Sequence, residues 1–147
     1  MTDLERKFLE ASFNGDLKTV KKCIKQNVNI DVVSCINSTA LIESSYNGHL
    51  DIVKYLVENG ADINIRNVVS ETALTISFYK ESAKVVNYLL PLVHEYKQFE
   101  RIYNDLKIEQ KHIIFKHFLN NKEFLKQVNP LKMKGFTKDI NEYIKKG

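Results

Sequence analysis

Asn47-Gly48-His49-Leu50-Asp51-Ile52-Val53-Lys54-Tyr55-Leu56-Val57-Glu58-Asn59-Gly60-Ala61-Asp62-Ile63-Asn64 reads as a polar turn, one amphipathic helix and a glycine stop. Leu50, Val53, Leu56 and Val57 stand at i, i+3, i+6 and i+7, one face of a 3.6-residue period. Gly60 closes the helix because glycine enters the left-handed region without steric cost. Ala61 to Asn64 then leaves as a loop.

The pattern returns at a constant interval. Thr39-Ala40-Leu41 reappears as Thr72-Ala73-Leu74, an offset of 33. The same step pairs Asn14-Gly15-Asp16-Leu17 with Asn47-Gly48-His49-Leu50, and Val28-Asn29-Ile30-Asp31 with Ala61-Asp62-Ile63-Asn64. Forward, Val85-Val86 falls on Ile52-Val53, and Tyr88-Leu89-Leu90 on Tyr55-Leu56-Val57. Three gapless copies of this length predict stacked units, each too small to bury its apolar face alone.

Thr39-Ala40-Leu41-Ile42, followed by Asn47-Gly48-His49-Leu50 and Asn59-Gly60-Ala61-Asp62-Ile63-Asn64, resembles an ankyrin repeat. The resemblance covers about residues 4–91: a capping repeat at 4–30, a central repeat at 31–64 and a terminal repeat at 65–91. It implies an all-α solenoid of antiparallel helix pairs joined by projecting turns, and a role in holding another protein. The chain departs from the family pattern at several positions. The Thr-Pro-Leu-His box reads Thr-Ala-Leu-Ile in one copy and Thr-Ala-Leu-Thr in another. Asn37 and Ser70 replace the glycine before that box, Asn27 stands where Gly60 does, and Glu81 where Gly48 does. His49 matches the family's turn histidine and is expected to be structural.

Within the copies, Leu4, Phe8 and Ala11 mark a first helix over 4–13. Asp16 to Lys25 forms its partner, with Leu17, Val20 and Ile24 inward and Lys18, Lys21, Lys22 and Lys25 outward. Thr39 and Thr72 are expected as helix N-caps, with Leu41 and Leu74 in the core. Cys23 occupies the repeat position of Leu56 and is expected to be buried. Pro91 stands at the position of Glu58 and should break the last helix or open a new one.

The period is lost from Leu92 onward. Val93, Tyr96, Phe99, Ile102, Tyr103 and Leu106 predict one amphipathic helix, Glu109 to Leu119 a second, Glu123 to Val128 a short turn, and Thr137 caps a last helix bearing Ile140, Tyr143 and Ile144. This helical C-terminal extension, 92–147, is expected to fold over the open end of the third repeat or to stand as a module with its own target. Charge separates the two parts. Residues 1–91 carry 10 Lys/Arg against 11 Asp/Glu, whereas 92–147 carry 12 against 7.

Two columns mark the candidate binding surface. Phe13, Tyr46 and Tyr79 are spaced by 33 and should stack as an aromatic ladder, which the resemblance places late on the inner helices facing a concave groove. Glu10 and Glu43 form a neighbouring acidic column, replaced by Ile76 in the third copy. The projecting turns are unusually apolar, with Val32, Val33, Cys35 and Ile36 in the first and Val68-Val69 in the second. The expected partner-binding set is therefore Phe13, Cys35, Ile36, Ser38, Glu43, Tyr46, Val68, Val69, Glu71 and Tyr79. Ring packing between repeats, and mutual burial of neighbouring turns, are the alternatives without a ligand.

No motif points to catalysis or to a cofactor. His112 and His117 are five apart, off the i, i+4 spacing of a metal-binding helix; neither cysteine has a partner at ligand spacing; and the 5 glycines form no phosphate loop. No metal, cofactor or catalytic residue is expected, and the chain is not expected to be an enzyme. Nucleic-acid binding is the alternative class. It would use the tail lysines Lys107, Lys111, Lys116, Lys122, Lys126, Lys132, Lys134 and Lys138, with Tyr103, Phe115 and Phe136 between them. Arginine is scarce and the lysines mix with acids, so a solvated helical face is preferred.

Charged content of 27% and hydrophobic content of 44% fit a globular domain. No run approaches the ~18 apolar residues of a membrane span, and the charged start, Met1 to Lys7, lacks the apolar core of a signal peptide. Two cysteines make no disulfide framework, so a reducing, intracellular and cytoplasmic setting and a monomer are expected. Richness in Lys, Asn and Ile hints at an A/T-rich genome, and with it at a host-directed effector. The overall expectation is a non-catalytic module that binds a partner protein through its groove and turns.

Overall fold

A computed structural model of the chain describes residues 1–93 and residues 103, 104, 111, 112, 116, 139, 142 and 145. It divides into two compact units, Met1–Leu89 and Leu90–Gly147.

The first unit is six helices: α1 (Asp3–Asn14), α2 (Leu17–Lys25), α3 (Ala40–Tyr46), α4 (Leu50–Glu58), α5 (Ala73–Tyr79) and α6 (Ala83–Leu89). Each odd helix pairs with the even one that follows it. The inner helices stack in the order α1, α3, α5, and the outer ones in the order α2, α4, α6. A helix of seven or nine residues is too short to persist alone, so each is held by the stripe it buries against its neighbours.

The starts are capped. Thr39 accepts a hydrogen bond from the Ile42 backbone N–H at 3.2 Å, and Thr72 accepts one from Thr75 at 3.2 Å, which the Thr75 hydroxyl returns by accepting the Thr72 N–H at 2.7 Å. Asp16 caps α2 by accepting the Thr19 N–H at 3.0 Å. Each of the two threonine caps is worth about 1 kcal/mol. A further capping box, Thr2 with Glu5, starts α1.

The ends turn left-handed. All four departures from the family's glycine pattern take positive φ: Asn27 at 59°, Asn37 at 56°, Ser70 at 64° and Glu81 at 55°. The repeat geometry is thus kept where the glycine is lost. Asparagine tolerates this region, whereas glutamate has no such preference.

The core follows the spacing and extends it. Phe8, Val20, Cys23, Leu41, Val53, Leu56, Leu74 and Leu89 are buried. Cys23, Leu56 and Leu89 form one column at intervals of 33. On α4 the buried stripe is Ile52, Val53 and Leu56, while Leu50 and Val57 are half-buried. The stripe is shifted because α4 packs against α2 and α6 as well as α3. Along α5 every residue from Ala73 to Phe78 is buried. Ser12, Ser44 and Ser77 lie in this core and donate to carbonyl oxygens of their own helices, at 2.8, 3.2 and 2.7 Å.

In the second unit, Pro91 sits inside a 3-10 turn, Leu90–Leu92, that follows directly on α6. Tyr103, Asn104, Lys111, His112, Lys116, Asp139, Glu142 and Lys145 are helical. The expected bounds of the tail helices and the covering of the third repeat lie outside the described residues, as do the other tail lysines, Phe115 and Phe136. Tyr103 is buried, and its hydroxyl donates to Asp139 Oδ2 at 2.7 Å. Burial, then the bond to the Asp139 carboxylate, pushes the phenol's pKa far above its ordinary value. Lys111 reaches the same carboxylate oxygen at 3.4 Å and lies 4.4 Å from the Tyr103 ring centre.

Candidate protein-binding groove

Successive repeats are locked at the turn between inner and outer helix. His49 Nε2 donates to the Phe13 carbonyl oxygen of the preceding repeat at 2.9 Å. Its ring lies so close to Gly15 that a Cβ there would stand 2.8 Å from Cε1. The next lock uses the same register with a smaller side chain: Ser82, one period beyond His49, faces Gly48 with its Oγ 3.1 Å from where a Cβ would be. These contacts fix the register that aligns the aromatic column.

Phe13, Tyr46 and Tyr79 sit at the same place on α1, α3 and α5, near the C-terminal end of each, and are 47%, 40% and 42% exposed. Phe13 and Tyr46 line one groove of about 320 Å³. Tyr79 stands at the equivalent place on α5 but does not line it. The Lys80 ammonium covers the Tyr46 ring at 3.9 Å from its centre, a cation–π contact.

The rest of the groove comes from the α3 and α5 faces and from the two projecting turns. Ile42 and Ile76 are its buried apolar floor, and Glu43 is half-buried. Ile36 and Ser38 enter from the first turn, and Asn67 and Glu71 from the second. Six of the ten expected residues therefore converge: Phe13, Ile36, Ser38, Glu43, Tyr46 and Glu71. Cys35, Val68, Val69 and Tyr79 do not line the groove; all four are exposed.

The turns are held rigid by their own polar groups. Asn67 Oδ1 accepts the Val69 and Glu71 N–H groups at 3.1 and 2.9 Å, and Asn67 Nδ2 donates to Glu71 Oε2 at 3.1 Å. Ser34, one period earlier, does the same work less tightly, its Oγ accepting from Ile36 and Ser38 at 3.4 and 3.3 Å. The two turns are joined to each other: Val68 N–H donates to the Ile36 carbonyl at 3.0 Å, and Asn37 Nδ2 to the Arg66 carbonyl at 2.5 Å. Neighbouring turns are thus linked by one backbone and one side-chain hydrogen bond while Ile36, Val68 and Val69 stay 50%, 64% and 67% exposed.

Ile42, Asn67 and Ile76 were not among the expected site residues. Asn67 carries a readable signal, since a side chain at the base of a tight turn that bonds backbone two residues on is an Asx turn. On the outer helices, Lys21 lies 5.1 Å from the Tyr55 ring centre and Lys54 5.7 Å from that of Tyr88. Both members of these pairs repeat at 33, so this second ladder is also written in the period.

Among the described residues no group of three or more His, Cys, Asp or Glu is placed to hold a metal ion, and no helix is long and apolar enough to cross a membrane. No curated protein matches the chain. A family model for ankyrin repeats, in three copies, matches residues 8–99, which overlaps the 4–91 stretch of the regular period and runs past its C-terminal end. Ankyrin repeats are in general protein–protein interaction modules. Helix pairs stacked at a constant interval, projecting turns and a match over more than half of its length place this chain in the ankyrin-repeat family.

Proposed function

We propose that the chain is a non-catalytic recognition module that holds a partner protein in the groove between the inner helices and the first two projecting turns. The observation that carries this reading is the groove itself: an apolar floor of Ile42 and Ile76, exposed aromatic walls from Phe13 and Tyr46, and carboxylates from Glu43 and Glu71. Such a surface is preformed, because helix stacking and turn hydrogen bonds fix it before a ligand arrives, so little entropy is lost on binding. Tyr46 and Ile36 are the central anchors. Phe13 and Tyr79 extend the aromatic column, and Cys35, Val68 and Val69 add apolar contact from the turn tips. Ser38, Glu43 and Glu71 set specificity.

The alternative through the basic tail loses two of its named groups. Tyr103 is buried with its hydroxyl bonded to Asp139, so it offers no face for base stacking, and Lys111 is paired with that same carboxylate. The free thiols of Cys23 and Cys35 suit a reducing, intracellular site of action, where the module works as a monomer on a host or cognate protein.

The test uses Ile36→Ala and Tyr46→Ala together. The partner is captured on the wild-type chain, purified and titrated against both forms. Loss of two hot-spot side chains weakens binding by about 30-fold or more, with an unchanged far-UV CD spectrum. Equal affinity for the two forms removes the groove from the reading.

A further inference from the structure

The charge in the groove is one-sided. Among the described residues, Glu43 and Glu71 are the charged side chains that line it. Among the described residues the ion pairs are Arg6–Asp3 and Lys111–Asp139, so neither groove carboxylate is matched by a cation. Asn67 donates to one oxygen of Glu71; Glu43 is half-buried, and among the described residues none donates a hydrogen bond to its carboxylate. Lys80 is directed over the Tyr46 ring rather than to either acid. A carboxylate that no cation of its own chain pairs with is free to form a charge-assisted hydrogen bond with a cation that binds beside it.

The dimensions restrict what else enters. A volume of about 320 Å³ is at the small end of ligand pockets, which run from about 300 to 1,000 Å³. It admits a few side chains of a peptide rather than a folded surface. Its floor is aliphatic, from Ile42 and Ile76.

We propose that the groove takes an extended peptide segment carrying a bulky apolar side chain next to an arginine or lysine. The apolar side chain fills the space over Ile42 and Ile76 between Phe13 and Tyr46, and the cation pairs with Glu43 and Glu71. Arginine is preferred over lysine, since its planar fork spans two carboxylates and stacks on aromatic faces. This rests on the groove reading above.

Arrays of synthetic peptides that vary one position through Arg, Lys, Gln and Glu beside a fixed Leu test it on the full chain. Arg and Lys peptides are selected, Glu peptides are rejected, and affinity falls as salt rises. Glu43→Gln with Glu71→Gln weakens the selected peptides by about tenfold and abolishes the Arg-over-Gln preference, with an unchanged melting curve. If Ile36→Ala/Tyr46→Ala loses the peptides but the Gln pair does not, the groove stands and the basic partner is wrong. If neither variant changes binding, both readings fall. Selection of acidic or neutral peptides, no peptide binding at all, or a second copy of this chain as the occupant overturns the proposal.

Discussion

The lock between repeats makes a quantitative prediction, because two glycines of nearly equal backbone conformation differ in what surrounds them. Gly15 has φ +80° and Gly60 has φ +89°. A Cβ at Gly60 meets nothing within 4 Å, whereas a Cβ at Gly15 stands 2.8 and 2.9 Å from the Cε1 and Nδ1 of His49. Gly60→Ala therefore reports the left-handed backbone alone: about 1–2 kcal/mol, offset by about 0.4–1 kcal/mol from the stiffer unfolded chain. A net loss near 1 kcal/mol follows. Gly15→Ala carries that same loss and also pushes the His49 ring off the Phe13 carbonyl, a hydrogen bond worth about 1 kcal/mol. Its total is about 2 kcal/mol, which is about 8–16 °C in melting temperature for a unit of this size. Gly48→Ala should resemble Gly60→Ala, since the Ser82 hydroxyl at 3.1 Å can rotate away. Urea denaturation followed by far-UV CD, at constant m-value, measures each difference. The decisive comparison repeats Gly15→Ala in a His49→Ala background, where its cost should fall to that of Gly60→Ala. If Gly15→Ala and Gly60→Ala cost the same in the wild-type background, or if the two substitutions at 15 and 49 simply add, the lock is not what orders the repeats.

Glu81→Gly relieves a glutamate held at φ 55° and should raise stability by about 0.5–1 kcal/mol, whereas Asn27→Gly at φ 59° should be nearly neutral because asparagine tolerates that region; equal effects in thermal melts would contradict this. The helix-cap carboxylates predict an acid limb. The Thr2 backbone N–H, then the Thr2 hydroxyl, hold Glu5 below its ordinary 4.5, and the Thr19 hydroxyl and backbone N–H hold Asp16 below 3.8. Since both folded-state values are depressed, their stabilisation is fully present above pH 4.5 and is lost as pH falls through the folded values. Glu5→Gln with Asp16→Asn should flatten melting temperature against pH below 4.5, and an unchanged slope would refute the caps as its cause.

Most of the fold was legible because the cause of each element is local or periodic. The apolar positions, the threonine caps and the loss of period from Leu92 onward all lie within a few residues of what they control. The left-handed turn positions were legible as departures from a pattern, and their backbone kept the family's shape. Burial of Ile52 was not, because the face of α4 depends on two flanking helices, not on its own stripe. The candidate site was half legible: the period aligned Phe13 with Tyr46 and set Ile76 in the column of Glu43, but that Ile42 and Ile76 form the floor of a groove depends on the gap that stacking leaves above them. The outer Lys–Tyr ladder was present in the period and visible only once the outer helices were stacked side by side.

By itself, the sequence determined the repeat length, the helix order and which residues share a column, because a constant interval of 33 returns like side chains to like places on a rigid stack. Only the tertiary structure decided which of those columns is a groove and which is packed shut. That depends on distances between repeats, set by contacts such as His49 against Gly15 and Val68 against Ile36, and no single repeat contains them. The unmatched charge of Glu43 and Glu71 is likewise a property of the assembled turns and helices, since a carboxylate is unpaired only relative to the neighbours that folding brings to it.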